Sequence, residues 1–377
     1  MTRLVPVLAA LSILLLVNLP ARSDDLPRIP VLVPLTGFLA LEGTSQRNGA
    51  LLALDRARDR VPVAREVEDT GTSPEVAVNA LEKALSRPGA VAVIASMLGT
   101  QMLAMIPIAD QYGVPLVTVS GTAKITELGS ANVFRFFPGD AVVKAAQARY
   151  VVEELGKTRP ALIYQTTAYG QSGREHLLAR FESLGASVVF EDGIDPAVKD
   201  LLPVLTKAMA AKPDVLVLQL HAGSTALAVR QAKAMGIDIP IVAGSAMHQP
   251  QTAALLEPAE LAGVCAETGS SPISGGTPEM EAFSRAYREA FSTEPDAFAL
   301  AQYDGTNMVL QALAGGARSP AEVRDYLARE SFEGVAMTYR SDGRGNMAHD
   351  AVIICYDGSS RIPAVRKRYG GLDGVTP

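Results

Sequence analysis

Hydroxyl-bearing side chains and glycines follow two consecutive strands of a predicted βαβ unit. The segment Val91–Thr122 reads as a strand, a turn at Met97–Thr100, a helix, and a second strand that ends in Ser120-Gly121-Thr122. Because parallel strands end on one edge of a sheet, the turn and the second loop should lie side by side. The helix after the turn offers free backbone N–H groups, which suit a carboxylate, so the pattern predicts a binding surface for a small anion. Its candidate ligands are Gly99, Thr100, Ser120 and Thr122, with Met97 and Leu98 as apolar lining or packing beside them.

Motifs of catalysis do not accompany this surface. The loop after the first predicted strand, Leu35–Gly43, lacks the G-x-G-x-x-G spacing of dinucleotide-binding enzymes, and Gly170–Arg174 fails the G-x-S-x-G pattern of hydrolases at its last position. The histidines are scattered and no C-x-x-C pair occurs, so we predict neither a metal site nor a cofactor. A Rossmann-like enzyme is kept as the alternative class, because a fold alone does not exclude catalysis.

The N-terminus has the layout of a cleavable signal peptide. Arg3 precedes an apolar run that extends to Leu16, and the small-residue site Ala21-Arg22-Ser23 follows. We therefore predict that residues 1–23 are removed and that the mature chain is exported. No later stretch of the sequence is long and apolar enough to span a membrane.

The composition limits the classes of partner that the protein is expected to bind. Without the two arginines of the signal peptide the net charge changes from −6 to −8, and there is no basic stripe, so we expect no nucleic-acid partner.

The two cysteines, Cys265 and Cys355, each lie in an apolar, strand-like run. In an oxidising compartment they could form a disulfide, whereas two buried free thiols are the simpler interpretation.

Strands and helices alternate in two series, which predicts an α/β protein of two doubly wound parallel-sheet lobes. Residues 24–140 should form the first part of lobe 1, and residues 141–268 should form lobe 2. The Gly- and Ser-rich stretch Gly269–Gly276 then opens a second part of lobe 1, over residues 269–340, and residues 341–377 return to lobe 2. Several crossovers of this kind form a hinge over a cleft that can close around a ligand.

Short motifs occur in a characteristic order along the mature chain. They are Pro34-Leu35-Thr36-Gly37, Asn48-Gly49-Ala50, the Gly99–Thr122 unit, Tyr169-Gly170, Arg230-Gln231-Ala232, Ala299–Tyr303 and the FEG…DGRGN pattern of residues 332–346. In this order they resemble the periplasmic type I solute-binding proteins of the leucine/isoleucine/valine-binding family. The resemblance implies a monomer in the periplasm that captures a small carboxylate, such as an amino acid, for an ABC permease and ATPase of the inner membrane. The alternative function is that of a ligand-sensing subunit of a receptor, and the sequence does not distinguish this function from transport.

The resemblance also assigns residues to the cleft. Ser120 and Thr122 correspond to the positions that hold the carboxylate and α-amino groups of the ligand. Tyr169 and Tyr303 occupy positions of cleft-lining aromatic residues. His221 falls where the family has a tyrosine from lobe 2.

The sequence departs from the family at positions that bear on the ligand. Gly99 stands where branched-chain amino-acid binders have a carboxylate-binding serine, and Ser245 stands where they place an acid against the ligand ammonium. A buried ammonium without a paired anion is costly, so this loss argues against an α-amino acid. Glu42 or Asp304 could replace the missing acid. If neither reaches the ammonium, we expect an aromatic or branched carboxylic acid that has no amine.

Overall fold

The computed structural model describes residues 26–372, which form two lobes, each built around one large β-sheet. The expected signal peptide, residues 1–23, lies outside the described residues. Within residues 26–372, every helix is too short or too polar to cross a membrane.

Lobe 1 begins with a series of alternating strands and helices. The strands are β1 (Arg28–Val33), β2 (Ala64–Asp69), β3 (Val93–Ala95), β4 (Leu116–Thr118) and β5 (Val133–Arg135). The helices are α1 (Ala40–Ala57), α2 (Pro74–Leu85), α3 (Gly99–Tyr112) and α4 (Lys124–Glu127). The sheet has the order β2-β1-β3-β4-β5, and its strands are parallel. β3 and β4 are therefore neighbours, as the βαβ pattern predicts, and the loops that follow them meet at one edge of the sheet.

The chain then crosses into lobe 2. Its helices are α5 (Asp140–Arg149, continued by a π-helical turn over Tyr150–Glu154), α6 (Ala168–Ser183), α7 (Leu202–Ala210), α8 (Ala222–Ala234) and α9 (Pro250–Ala253). The strands are β6 (Pro160–Gln165), β7 (Phe190–Ile194), β8 (Val215–Gln219), β9 (Ile241–Ala243) and β10 (Val264–Thr268). Helices cover both faces of this sheet, which explains why β8 and β10 are buried along their whole length.

The following helices pack back onto lobe 1. They are α10 (Pro278–Phe291), α11 (Ala297–Ala314) and α12 (Pro320–Arg329), followed by the short hairpin β11 (Phe332–Glu333) and β12 (Thr338–Tyr339). Met308 and Leu313 of α11 share a core with Ala50 and Leu54 of α1. Proline at the first turn, preceded by Ser or Thr as N-cap, starts both α10 and α12.

Two strands complete lobe 2: β13 (Ala351–Cys355) and β14 (Ala364–Tyr369). The sheet has the order β14-β13-β10-β9-β8-β6-β7. The α/β fold class is confirmed, with one correction, because β13 is antiparallel to β10 and β14 is antiparallel to β13. The reason is topological: β10 ends where the chain leaves for lobe 1, and β13 begins where the chain comes back, so the two strands run in opposite directions.

This antiparallel pairing decides the state of the cysteines. Cys265 on β10 and Cys355 on β13 are directly opposite each other, with their Cα atoms 4.0 Å apart, and they form a disulfide. The interpretation as two free thiols is therefore wrong. The sequence contains no signal for the register of these two strands, which is what brings the sulfur atoms together.

Candidate functional site

A cavity lies between the lobes, at the carboxyl ends of the parallel strands, and its empty space of about 370 Å³ includes a part open to solvent. Open α/β sheets bind ligands at this edge. The apolar part of its lining consists of Leu39, Met97, Val119, Phe137, Ala246 and Phe298. The remaining lining residues are Glu42, Gly121, Tyr169, His221 and Ser245. An apolar pocket with a few convergent polar groups is typical of a small-molecule site.

Two hydroxyl groups of lobe 1 are buried beside this cavity. Ser120 is 0% exposed and Thr122 is 1% exposed. Within residues 26–372, neither Ser120 Oγ nor Thr122 Oγ1 has a hydrogen-bond partner. Val119 and Gly121, the neighbours of Ser120, both line the cavity. Since an unsatisfied buried polar group costs about 1–3 kcal/mol, these hydroxyls mark a place where a polar group of a ligand would bind.

The N-terminus of α3 lies against the same hydroxyls. A Cβ atom added to Gly99, the first residue of α3, would lie 1.9 Å from Thr122 Oγ1. This close approach therefore requires glycine, and a serine at position 99 would force Thr122 to move. The first amides of an α-helix have no intrahelical partner and carry the positive end of the helix dipole. Together with the two hydroxyls they can bind a carboxylate.

Arg135 fixes the loop that carries the hydroxyls. Its guanidinium donates hydrogen bonds to the carbonyl oxygens of Gly121 at 3.2 Å and Thr122 at 2.7 Å. The backbone N–H of Asp140 donates to Gly121 O at 2.7 Å. Burial lowers the pKa of Arg135 to about 10, so the side chain remains charged near neutral pH. Arg135 was not predicted from the sequence, although an arginine that ends a short apolar strand was the available signal.

Glu42, in the first turn of α1, reaches from lobe 1 to lobe 2. Its Oε1 accepts the N–H of Ala222, the first residue of α8, at 2.9 Å. Its Oε2 is buried and has no hydrogen-bond partner in the described part of the chain. Burial raises the pKa of Glu42 from 4.5 to about 7, and the charge of Asp296 adds to this rise. A ligand that donates a hydrogen bond to Oε2 would satisfy this buried oxygen.

Tyr169 and His221 form an aromatic wall on the lobe 2 side, with ring centroids 5.1 Å apart. Burial raises the pKa of the Tyr169 phenol well above its ordinary value, and its hydroxyl has no partner among residues 26–372. Burial lowers the pKa of His221 to about 3, so the imidazole is neutral, with Nε2 3.3 Å from Thr167 Oγ1. Both side chains therefore keep one protonation state near neutral pH, and they can bind a ligand but cannot exchange protons with it.

Ser245 lines the cavity, but its hydroxyl is already engaged. It donates to the carboxylate of Glu267, at 2.9 Å from each oxygen. Glu267 in turn forms an ion pair with Lys144, and both side chains are fully buried. Burial alone would lower the pKa of Lys144, but the charges of Glu267, Tyr169 and Asp140 and the hydrogen bond to Glu267 together outweigh burial, so the pKa is raised. This buried pair was not predicted from the sequence, and it neutralises the carboxylate nearest to Ser245.

Asp140 lies behind the lining of the cavity. A Cβ atom on Gly121 would lie 3.3 Å from Asp140 Oδ1 and 3.4 Å from the Tyr169 ring, so the carboxylate sits beneath these two residues. Burial raises the pKa of Asp140 to about 7, while the charge of Lys144 opposes the rise. Asp140 belongs to the buried charges that support the site and is not one of the lining residues.

Tyr303, assigned to the cleft by resemblance, and Asp304, a candidate for the missing acid, both lie outside the lining of the cavity. The ring of Tyr303 packs against Phe283, with centroids 5.0 Å apart. The carboxylate of Asp304 accepts the N–H groups of Val335 and Ala336, each at 2.9 Å. Both side chains are on the faces of α11 that contact α10 and the segment before β12, so Asp304 does not replace the acid missing at position 245.

The turn before α3 divides its residues between the cavity and the packing around it. Met97 lines the cavity, whereas Leu98 is buried outside the lining. Thr100 also lies outside the lining, and its Oγ1 accepts the N–H of Ala168, the first residue of α6, at 3.3 Å. Thr100 therefore bridges the lobes.

Among residues 26–372, no cluster of three or more His, Cys, Asp or Glu side chains could hold a metal ion.

Comparison with known proteins places the chain in a family. A family model described as "Periplasmic binding protein" matches residues 27–359. A Leu/Ile/Val-binding protein, BraC3 from Rhizobium johnstonii, is 25% identical over 229 residues. That match spans 59% of this chain and 62% of the relative, which is less than two thirds of its length.

Solved structures share the fold over more than nine tenths of the chain. The LivJ substrate-binding protein of a branched-chain amino-acid transporter from Streptococcus pneumoniae, solved with isoleucine, has a TM-score of 0.83 and 24% identity, and covers 91% of this chain and 100% of that one. A solute-binding protein of an ABC transporter from Rhodopseudomonas palustris, solved with 3,4-dihydroxybenzoic acid, has a TM-score of 0.82 and 19% identity, and covers 93% and 99%. At these identities the likeness establishes the architecture of two lobes and a cleft.

Proposed function

The chain belongs to the periplasmic binding protein family, and on that premise we propose that it is the substrate-binding component of an ABC importer. It captures a small carboxylate in the cavity between its lobes and delivers it to a permease and ATPase of the inner membrane. It resides in the periplasm after residues 1–23 are cleaved. Its mechanism is capture and closure, with no catalysis.

The observation that carries this proposal is the pair of buried, unpartnered hydroxyls beside a helix N-terminus. Ser120 Oγ and Thr122 Oγ1 lack partners within residues 26–372, and Gly99 brings the first turn of α3 against Thr122. A carboxylate has two acceptor oxygens, so it satisfies both hydroxyls and the free helix amides together. Arg135 holds the loop in place before the ligand arrives. The anion site of lobe 1 is therefore preformed.

Closure brings lobe 2 onto the bound carboxylate. Hydrogen bonds that join the lobes around the cavity include Ala222 N–H to Glu42, Ala168 N–H to Thr100, and Ala123 N–H to Ser172 Oγ at 2.9 Å. Closing removes water from the cavity, which strengthens every polar contact inside it. A ligand that binds the closed form better than the open form shifts the population toward closure, and a permease can recognise that shape.

The lobe 2 side favours a carboxylic acid without an α-amine. Ser245 donates its hydroxyl to Glu267, and Glu267 is paired with Lys144. An α-ammonium bound next to Ser120 would meet no unpaired carboxylate among the described lining residues of lobe 2. An uncompensated buried ammonium is costly, so the lining argues for an aromatic or branched acid over an α-amino acid.

The test is binding by the variant Thr122→Ala, which removes one orphan hydroxyl. After denaturant stripping and refolding, the mature protein is screened by thermal shift with α-amino acids and with amine-free aromatic and branched acids, and the hits are titrated by calorimetry. A ligand that binds only the native state must raise the unfolding midpoint. We expect amine-free acids to raise it, and Thr122→Ala to weaken their binding by more than tenfold.

The matched control is Thr206→Ala, which removes an exposed hydroxyl of α7 that bonds only within its own helix. It should leave affinity unchanged. If Thr122→Ala binds as tightly as the wild type, the anion site is assigned to the wrong loop. If only α-amino acids shift the midpoint, the ligand class is wrong, although the capture function stands.

A further inference from the structure

Glu42 has an unused carboxylate oxygen inside the cavity. Glu42 is 2% exposed and lines the cavity, and Oε1 is bonded to the N–H of Ala222. Oε2 has no hydrogen-bond partner within residues 26–372. The hydroxyl oxygens of Ser120 and Thr122, which also lack partners, belong to the proposed carboxylate site. Glu42 therefore marks a second polar point in the cavity that the capture of a carboxylate does not use.

The order of the strands separates this point from the carboxylate site. Glu42 follows β1, Gly99 follows β3, and the Ser120–Thr122 loop follows β4, in a sheet where β3 lies between β1 and β4. Neighbouring strands are about 4.8 Å apart, so β1 and β4 are separated by roughly 10 Å. The α-amine of an amino acid is attached to the same carbon as its carboxylate. With the carboxylate at Ser120 and Thr122, that amine lies on the β4 side of the cavity, whereas Glu42 comes from the helix that follows β1.

The space between the two polar points is apolar. Met97 projects from the intervening β3 loop, and Leu39, Val119, Phe137 and Phe298 complete the walls. A flat ring has the shape and polarity to fill such a space, and aromatic side chains pack well against it. The ligand should therefore carry its second polar group on the far side of an apolar, ring-shaped spacer.

The surroundings of Glu42 favour an uncharged hydrogen-bond donor of the ligand at Oε2 over a cationic group. The Ala222 N–H that bonds to Glu42 is the start of the 13-residue helix α8, so the positive end of that helix dipole lies at this point. The neighbouring imidazole of His221 is neutral and contributes no negative charge. A hydroxyl can donate to Oε2 without bringing a positive charge to the end of α8.

We propose that Glu42 binds a hydroxyl group at the far end of the ligand, and that the protein selects aromatic carboxylic acids whose ring hydroxyl lies opposite the carboxylate. This inference rests on the proposed function, because it takes the carboxylate to be bound at Ser120 and Thr122. Glu42 is then the residue that determines specificity, while the lobe 1 hydroxyls supply affinity common to all carboxylates.

Matched pairs of acids test the proposal in the wild-type protein. The pairs are 4-hydroxybenzoate with benzoate, 4-hydroxyphenylacetate with phenylacetate, and 4-hydroxycinnamate with cinnamate, each titrated by calorimetry into stripped protein. The measured quantity is the ratio of the two dissociation constants within a pair. We expect the hydroxylated acid to bind at least tenfold more tightly in the pair whose length fits. The acid 4-(aminomethyl)benzoate, which has a cation in place of the hydroxyl, should bind more weakly than its hydroxylated counterpart.

The variants separate recognition of the hydroxyl from closure of the lobes. Glu42→Leu should bring the ratio to within threefold of unity, and Glu42→Gln, which keeps a hydrogen-bonding group, should retain part of the preference. The control is Thr100→Val, because Thr100 also accepts an N–H from the first residue of a lobe 2 helix. Thr100→Val should weaken both members of a pair equally and leave the ratio unchanged.

Each contrary result overturns a different statement. Equal binding of both members of every pair by the wild type, or absence of binding by every hydroxylated acid, overturns the role of Glu42. Tighter binding of 4-(aminomethyl)benzoate overturns the assignment of a neutral donor. The proposed function has its own readout: loss of benzoate or leucine binding in Thr122→Ala supports it whatever the ratios are.

Discussion

The two walls of the cleft differ in how their polar atoms are used. In lobe 1, within residues 26–372, Ser120, Thr122 and Glu42 each keep a buried oxygen without a partner. In lobe 2, the hydroxyl of Ser245 is bonded to Glu267, and Glu267 is paired with Lys144. Lobe 1 thus offers three unpartnered oxygens to a ligand, whereas lobe 2 offers the hydroxyl of Tyr169 and has Ser245 bonded to its own buried ion pair. We infer that lobe 1 decides what binds, and that lobe 2 supplies shape, exclusion of water and closure.

Breaking the internal pair of lobe 2 should give the largest effect, and the effect should be on stability. Lys144→Met leaves Glu267 buried without its counter-ion, which costs about 3–5 kcal/mol of unfolding free energy. Urea unfolding of the stripped protein measures it. The double variant Lys144→Met/Glu267→Gln should recover most of the loss, because the remaining groups are neutral. A loss below about 1 kcal/mol in the single variant would contradict a structural role for the pair.

Glu42 links the two walls, and its effect should depend on pH. Its pKa in the folded protein is raised from 4.5 to about 7, so the folded state binds more protons than the unfolded state between these values. Stability therefore falls as pH rises from about 4.5 through 7 and levels off above, by up to about 3 kcal/mol from this group. Thermal unfolding from pH 4 to 8 should show a smaller fall in Glu42→Gln than in the wild type. The difference between the two proteins isolates Glu42 from Asp140 and Asp304, whose pKa values are also raised. Identical profiles would show that Glu42 is not buried as an acid in solution.

Ser245→Ala should give the smallest effect and sharpens the contrast with Thr122→Ala. It removes hydrogen bonds to a carboxylate that keeps its partner Lys144, so we expect a stability loss of about 1–2 kcal/mol. Because this hydroxyl is committed to Glu267, ligand affinity should change by less than threefold in calorimetry. A tenfold loss of affinity would mean that Ser245 turns to the ligand, and the two walls would then be alike.

The sequence predicts those site residues whose positions follow from where the predicted strands end. The βαβ pattern of Val91–Thr122 and the direction of parallel strands are enough to bring Gly99 and Ser120–Thr122 to one sheet edge. Resemblance added Tyr169, His221 and Ser245, all of which line the cavity. The structure places these residues at the cavity or beside it because local pattern and topology determine where a strand ends, and their role in binding stays a prediction.

The rest depends on contacts between distant segments. Helical spacing in α11 does not indicate which of its faces meets the cleft, and Tyr303 and Asp304 are on faces that meet α10 and the segment before β12. The Lys144–Glu267 pair joins residues 123 positions apart. The sequence contains a lysine within the alanine-rich helix α5 and a glutamate within the apolar strand β10. It does not indicate that these two side chains pair with each other. The strand β14 has three consecutive basic residues and is mostly exposed, which is typical of an edge strand and hides it from a search for apolar runs.

The disulfide has a mechanical consequence for the hinge. Cys265 and Cys355 join β10 and β13, the two strands that continue at their other ends into residues 269–277 and 340–350, through which the chain passes from lobe 2 to the later helices of lobe 1 and back. The covalent bond holds these two strands in register, so neither can slip along the other and the two connections leave lobe 2 from adjacent, fixed points. A change in the angle between the lobes then has to be taken up within the connections themselves, beyond the end of the paired strands.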